Sequence, residues 1–304
     1  MRSLIRFGGL LTTLAAVSFG ASGAPKPTGN NTVPLHRLKL DPFVAPPARL
    51  VGVIVKARVN GGPSLRLLLD SGASRLTLDA KAAAKSNCTG GIDLDLVAAA
   101  AHAPAGVKQI QAASVEIGTL VLRDLPLLIS EKHLGDGIQG VLPLSVFSPF
   151  LIRLDVPRKT LDLLPYPAST EGADDLQALS SNNLLFVRGK VNDRREGYFL
   201  LDTGASYSAL SKTVTSELGF SEALAERVPL QAGTTELDAP LIQSGVRLRF
   251  GSTELGAGSV VAIDLSLSSR YHNFDIAGLL GFPALSGSVL VVNYRDRLVR
   301  IGSQ

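Results

Sequence analysis

Beyond residue 49 the chain alternates short apolar runs with clusters of Gly, Pro, Asn and Asp. That pattern predicts strands joined by tight turns rather than long amphipathic helices. Val51 to Val59 alternates apolar and polar positions, a polar turn follows, and the apolar run Leu65 to Leu69 ends directly in an acid, Asp70. Leu184 to Val191, a polar turn and Tyr198 to Leu201 repeat the arrangement and end in Asp202. Each half therefore predicts a hairpin whose second strand delivers a carboxylate. Just past each acid, Asp79 and Ser211 stand where an N-cap belongs, and Ser211 leads into a turn with Leu210, Val214 and Leu218 on one face.

These two hairpins are copies of one another. VKARVNGGPSLRLLLDSGASRLTL (55–78) and VRGKVNDRREGYFLLDTGASYSAL (187–210) align without a gap at a separation of 132 residues, the separation between Asp70 and Asp202. Val59, Asn60, Leu68, Leu69, Gly72, Ala73, Ser74 and Leu78 each meet an identical residue. The similarity resumes downstream at a separation of 138: IQGVLPLSVF (138–147) against IAGLLGFPAL (276–285), and then the segments around Leu154 and Val292. An internal repeat of this length means two lobes of like fold. Their expected bounds are residues 50–165 and 183–304, joined by a polar linker over 166–182. Pro143 stands where the second copy has Gly281, so the first lobe is expected to be the less regular.

At 304 residues, 45% of them hydrophobic, the chain is long enough to give each lobe its own core. The formal charge is only +4, of which Arg2 and Arg6 supply two, and the arginines are scattered. Nucleic acid is therefore not an expected partner. Residues 1–24 have a basic start, an apolar stretch from Gly8 to Phe19 and small residues up to Ala24, the build of a secretory signal peptide. The apolar stretch is shorter than the roughly 20 residues a spanning helix requires. The expectation is a periplasmic or secreted protein, without stable membrane insertion, beginning with a Pro-rich segment over 25–49. Cys88 is the single cysteine, so no intrachain disulfide can form, and Cys88 is expected to be structural rather than a nucleophile.

The repeated loop has a chemical rationale. Small residues after the acid let backbone N–H groups approach its carboxylate, and the hydroxyl of Ser71 or Thr203 can tie one loop to the other. Two carboxyls brought together share a proton, because like charges in contact cannot both ionise. LLLDSGAS and FLLDTGAS, each with a downstream hydrophobic-hydrophobic-glycine element (QGVL at 139–142, AGLLG at 277–281), resemble the aspartic peptidase signature, especially that of retropepsin-like bacterial aspartyl proteases. The resemblance implies an all-β fold of two barrel lobes related by a pseudo-twofold axis, with short helices and a cleft between them. It implies that Asp70 and Asp202 activate a water for peptide hydrolysis, that Ser71 and Thr203 grip across the loops, and that Gly72 and Gly204 supply close backbone donors. Ala73, Ser74, Ala205 and Ser206 would border a peptide or protein substrate, and Gly140 and Gly278 would belong to the supporting scaffold. One chain carrying both loops is expected to act as a monomer.

No metal or other cofactor is expected: His36, His102, His133 and His272 lie far apart, and the pairs Asp93/Asp95 and Asp174/Asp175 fit no calcium loop. Ala101 to Gln111 and Gln231 to Pro240 fall where hairpins closing over the cleft belong, although neither contains a tyrosine. The competing reading is an exported binding protein that keeps the two-lobed fold without turnover.

Overall fold

The computed structural model describes residues 33–45, 49–98, 101–131, 133–135, 137–167, 174–221, 225–232 and 235–302. The expected signal peptide, the start of the Pro-rich segment and residues 168–173 of the expected linker lie outside them. Both halves belong to one compact unit that begins at Pro34.

The first half contains β1 (His36–Lys39), β2 (Asp41–Ala45), β3 (Arg49–Val59), β4 (Ser64–Asp70), β5 (Leu76–Asp79), α1 (Ala80–Lys85), β6 (Ile92–Ala98), β7 (Ala101–Ile117), β8 (Leu120–Ser130), β9 (Gly140–Pro143), β10 (Leu151–Asp155) and β11 (Thr160–Leu164). The second contains β12 (Leu176–Ser181), β13 (Leu184–Val191), β14 (Arg195–Asp202), β15 (Ser208–Ser211), α2 (Lys212–Glu217), β16 (Arg227–Ala232), β17 (Thr235–Ile242), β18 (Arg247–Phe250), β19 (Thr253–Gly256), β20 (Val260–Ile263), α3 (Ser266–His272), β21 (Ile276–Gly281), α4 (Phe282–Leu285), β22 (Val289–Asn293) and β23 (Leu298–Gly302).

The predicted hairpins form, β3 against β4 and β13 against β14. Their turns explain one duplicated residue. Asn60 and Asn192 sit at φ 48° and 51°, in the left-handed region that Asn tolerates better than most side chains. Each also braces the neighbouring strand: Asn60 Oδ1 accepts from Ser114 N at 3.1 Å, and Asn192 Oδ1 from Arg247 N at 2.8 Å. Both predicted caps are present, with Asp79 accepting from Ala82 N at 2.7 Å and Ser211 from Val214 N at 3.2 Å.

Each acid-bearing strand is flanked by a strand from much later in its lobe. β9 runs parallel to β4 and antiparallel to β5, threading between the two strands that the acidic loop joins, and β21 does the same between β14 and β15. The two crossings have the same register: Leu67 pairs with Gly140 and Asp70 with Pro143, as Phe199 pairs with Gly278 and Asp202 with Gly281. Close approach requires the glycines. A Cβ on Gly140 would lie 2.7 Å from Leu78 Cδ2, and one on Gly278 would lie 2.8 Å from Phe199 Cε1. At Pro143 itself the β4–β9 crossing keeps its register. In the second lobe Gly281 N donates to Ser208 Oγ at 3.1 Å; in the first, proline has no N–H to donate and Leu76, the counterpart of Ser208, has no hydroxyl to accept. Donor and acceptor are absent together, so nothing is left unpaired.

The lobes meet in a shared sheet of order β1-β11-β10-β22-β23-β12. Part of the Pro-rich segment enters it as β1, and β2 pairs with β3. The end of the expected linker enters it as β12. β1 is held by charge as well as by its ladder: Arg37 forks onto Asp162 at 2.6 and 2.9 Å, and Asp162 is almost fully buried. The main core runs continuously through both lobes and includes Cys88. Smaller apolar clusters cover the opposite face of the acid-bearing strands: Ile54, Leu68 and Ile138 in the first lobe, and their counterparts Phe186, Leu200 and Ile276 in the second. Among the described residues no helix is long and apolar enough to cross a membrane.

Candidate active site

The period-two alternation of a strand decides where each acid points. Leu67 and Leu69 on β4, and Phe199 and Leu201 on β14, enter the main core. Leu68 and Leu200 take the other face. Asp70 and Asp202 end their strands, and the loops beyond them come face to face.

The two loops interlock through their hydroxyls. Ser71 Oγ donates to Leu201 O at 2.7 Å and accepts from Thr203 N at 3.0 Å. Thr203 Oγ1 donates to Leu69 O at 3.0 Å and accepts from Ser71 N at 3.0 Å. Ser71 is 2% exposed and Thr203 0%, so all four bonds are shielded from water.

Gly72 and Gly204 make the approach possible. A Cβ on Gly72 would lie 2.6 Å from Asp202 Oδ1, and one on Gly204 would lie 2.5 Å from Asp70 Oδ2. Each loop's glycine vacates the space that the other loop's carboxyl fills. The same glycines donate within their own loops, Gly72 N to Asp70 Oδ1 at 2.6 Å and Gly204 N to Asp202 Oδ1 at 3.1 Å.

Asp70 and Asp202 lie within hydrogen-bonding reach of each other. Burial pushes the Asp70 carboxyl above its ordinary value, against N–H groups of Gly72, Ala73 and Gly204 that favour its charged form. Burial, followed by the charge of Asp70, pushes Asp202 well above. Both carboxyls are thus raised, and they titrate as a pair. Of the expected bordering residues, Ala73, Ala205 and Ser206 are half-buried and Ser74 is exposed.

The family follows from the two halves separately. A family model described as Aspartyl protease matches residues 55–146 and again residues 187–284, together more than half the chain. The chain belongs to the aspartyl protease family. Both matched stretches of this aspartyl protease contain one acidic loop and one threading strand. No curated protein matches the chain. Among solved structures it is similar to the aspartic proteinase from Irpex lacteus, at 11% identity and a TM-score of 0.49, over 84% of this chain and 94% of that one.

Three features of the site had no signal in the strand pattern. The Arg49 guanidinium stacks on the Tyr207 ring, 4.0 Å from its centroid, joining the start of β3 to the second acidic loop. Arg75 Nη1 donates to Gln109 Oε1 on β7. Tyr294, after β22, lies in electrostatic range of Asp70, with burial and then that charge raising its phenol. Ala101 to Gln111 and Gln231 to Pro240 fall in two hairpins, β6 with β7 and β16 with β17, and the hairpins approach one another through β7 and β17. Among the described residues no three His, Cys, Asp or Glu side chains gather where they could hold a metal ion.

Proposed function

We propose that this aspartyl protease is an active endopeptidase in which Asp70 and Asp202 activate a water held between them. The supporting observation is the interlock of the two acidic loops, which sets each loop's glycine against the other loop's carboxyl and brings Asp70 and Asp202 together. One proton shared by the pair gives each acid a different task. Asp70, with more N–H donors, takes a proton from the water as it attacks the peptide carbonyl. Asp202 gives its proton to the carbonyl oxygen, leaving a tetrahedral gem-diol. As the C–N bond breaks, the pair gives its proton to the leaving nitrogen and takes one from a gem-diol hydroxyl, which becomes the carbonyl of the acid product, so it ends with the single proton it began with. Ser71 and Thr203 hold the loops, and the β6–β7 and β16–β17 hairpins close over a bound peptide.

Both acids on one chain favour a monomer, and the composition of residues 1–24 favours export and cleavage near Ala24. Intact-mass measurement of exported protein checks the latter. Activity is tested by incubating the mature protein with a mixed peptide library across pH, with and without a statine-type transition-state mimic. Cleavage blocked by the mimic is expected; peptide binding without cleavage at any pH would favour the binding protein instead.

A further inference from the structure

The 132-residue correspondence that pairs the acids also pairs the residues five positions beyond them, Arg75 and Tyr207. Their chemistry looks unrelated until Arg49 is included. Arg49 lies over the Tyr207 ring at 4.0 Å, so a guanidinium occupies the neighbourhood of both positions. One is carried by the first acidic loop itself. The other is supplied by the first lobe to the second acidic loop. The repeat thus relates two positions five residues beyond the acids, each with a guanidinium at or beside it, although no sequence identity does.

Both guanidinia are held and neither is neutralised. Arg49 is braced by the aromatic face of Tyr207, and among the described residues none of its donors is bonded to a side chain or backbone oxygen. Arg75 is exposed and is tied through one nitrogen to Gln109 on the β6–β7 hairpin. Among the described residues neither forms an ion pair, whereas Arg195 is committed to Glu217 and Asp275, and Arg227 to Asp238. A planar guanidinium with free donors binds a carboxylate by parallel hydrogen bonds.

We propose that Arg49 and Arg75 determine specificity, selecting peptides that carry acidic side chains on both sides of the scissile bond. This rests on the endopeptidase reading above. A substrate bound across the acid pair passes both catalytic-type loops, and an acidic residue on each arm meets one cation. The two charge-assisted contacts orient the peptide and hold its central bond over Asp70 and Asp202.

The experiment compares matched peptides with Glu on both flanks, Glu on one flank, and Gln on both, read as kcat/KM at low and high salt. Each charge-assisted contact at a partly exposed site is expected to contribute about tenfold, and the Glu-to-Gln ratio should fall as salt rises. Arg49→Gln and Arg75→Gln should each remove preference on one flank only, and Tyr207→Leu should act like Arg49→Gln while Tyr207→Phe retains the preference. Arg58→Gln, at the far end of β3, controls for lost net charge and should leave the ratio intact. Equal cleavage of Glu and Gln peptides, or a ratio unchanged by both Arg49→Gln and Arg75→Gln, overturns the proposal while leaving the endopeptidase reading in place. Failure to cleave any peptide in the set or in a mixed library overturns that reading instead.

Discussion

The hydroxyls of Ser71 and Thr203 are each bound by the backbone N–H of the other, so that each residue is at once the lock and the key of the opposing loop. With their bonds to Leu201 O and Leu69 O, the two side chains satisfy four buried backbone groups. Replacing either by Ala strands one N–H and one carbonyl. Ser71→Ala and Thr203→Ala should each lose about 2 kcal/mol in urea unfolding, since an unpaired buried polar group costs about 1–3 kcal/mol. Thr203→Ser keeps the hydroxyl and should lose less than Thr203→Ala. Activity should suffer less than when an acid is removed.

Asp70→Asn and Asp202→Asn preserve shape but remove the shared proton's acceptor or donor. Each should reduce kcat on the order of 10³-fold or more, and the double substitution should be little worse than either single one, because the two act as a unit. Single-turnover cleavage of a library-derived peptide measures this. Turnover surviving Asp202→Asn would remove the pair from the mechanism.

Gly204→Ala puts a Cβ where the Asp70 carboxyl sits, 2.5 Å from its Oδ2. The rigidly gripped loops have little room to yield, so the carboxyls must separate. Expected are a fold retained by circular dichroism and activity reduced on the order of a hundredfold, comparable with other small misplacements of catalytic groups.

The pH dependence has two opposite contributions. The folded-state values of Asp70 and Asp202 are raised, by burial first, so the stability they contribute is fully present below the unfolded carboxylate value and is lost as pH rises through the folded values. Asp202→Asn should therefore become more stable relative to wild type as pH increases. Asp155 behaves oppositely. Burial works against its charge, but bonds from Arg158 and the nearby Arg153 outweigh this and lower its value. Its contribution is present above the unfolded value and is lost as pH falls through the lowered one. Urea midpoints for wild type, Asp202→Asn and Asp155→Asn across pH measure both slopes, and activity should decline on the alkaline side once the pair loses its shared proton.

Much of the scaffold could be read from residue order. Alternation of apolar positions along Val51 to Val59 and Leu184 to Val191 determines which side chains enter the core, because a strand's side chains alternate by geometry alone. Asp79 and Ser211 cap short helices through bonds to backbone only three residues away. The duplicated acid, hydroxyl and glycine identified the loops, since repetition at a fixed separation carries information that no single turn carries. Pro143 shows the limit of comparing one position alone: an absent donor matters only if an acceptor waits for it, and Leu76 is none. What tertiary structure alone decided is every contact between the halves. Arg49 and Tyr207 lie far apart in sequence and follow no common period, so only the docking of the first lobe's β3 beside the second acidic loop places a cation there. The same docking sets the two acids side by side, where burial raises both carboxyls.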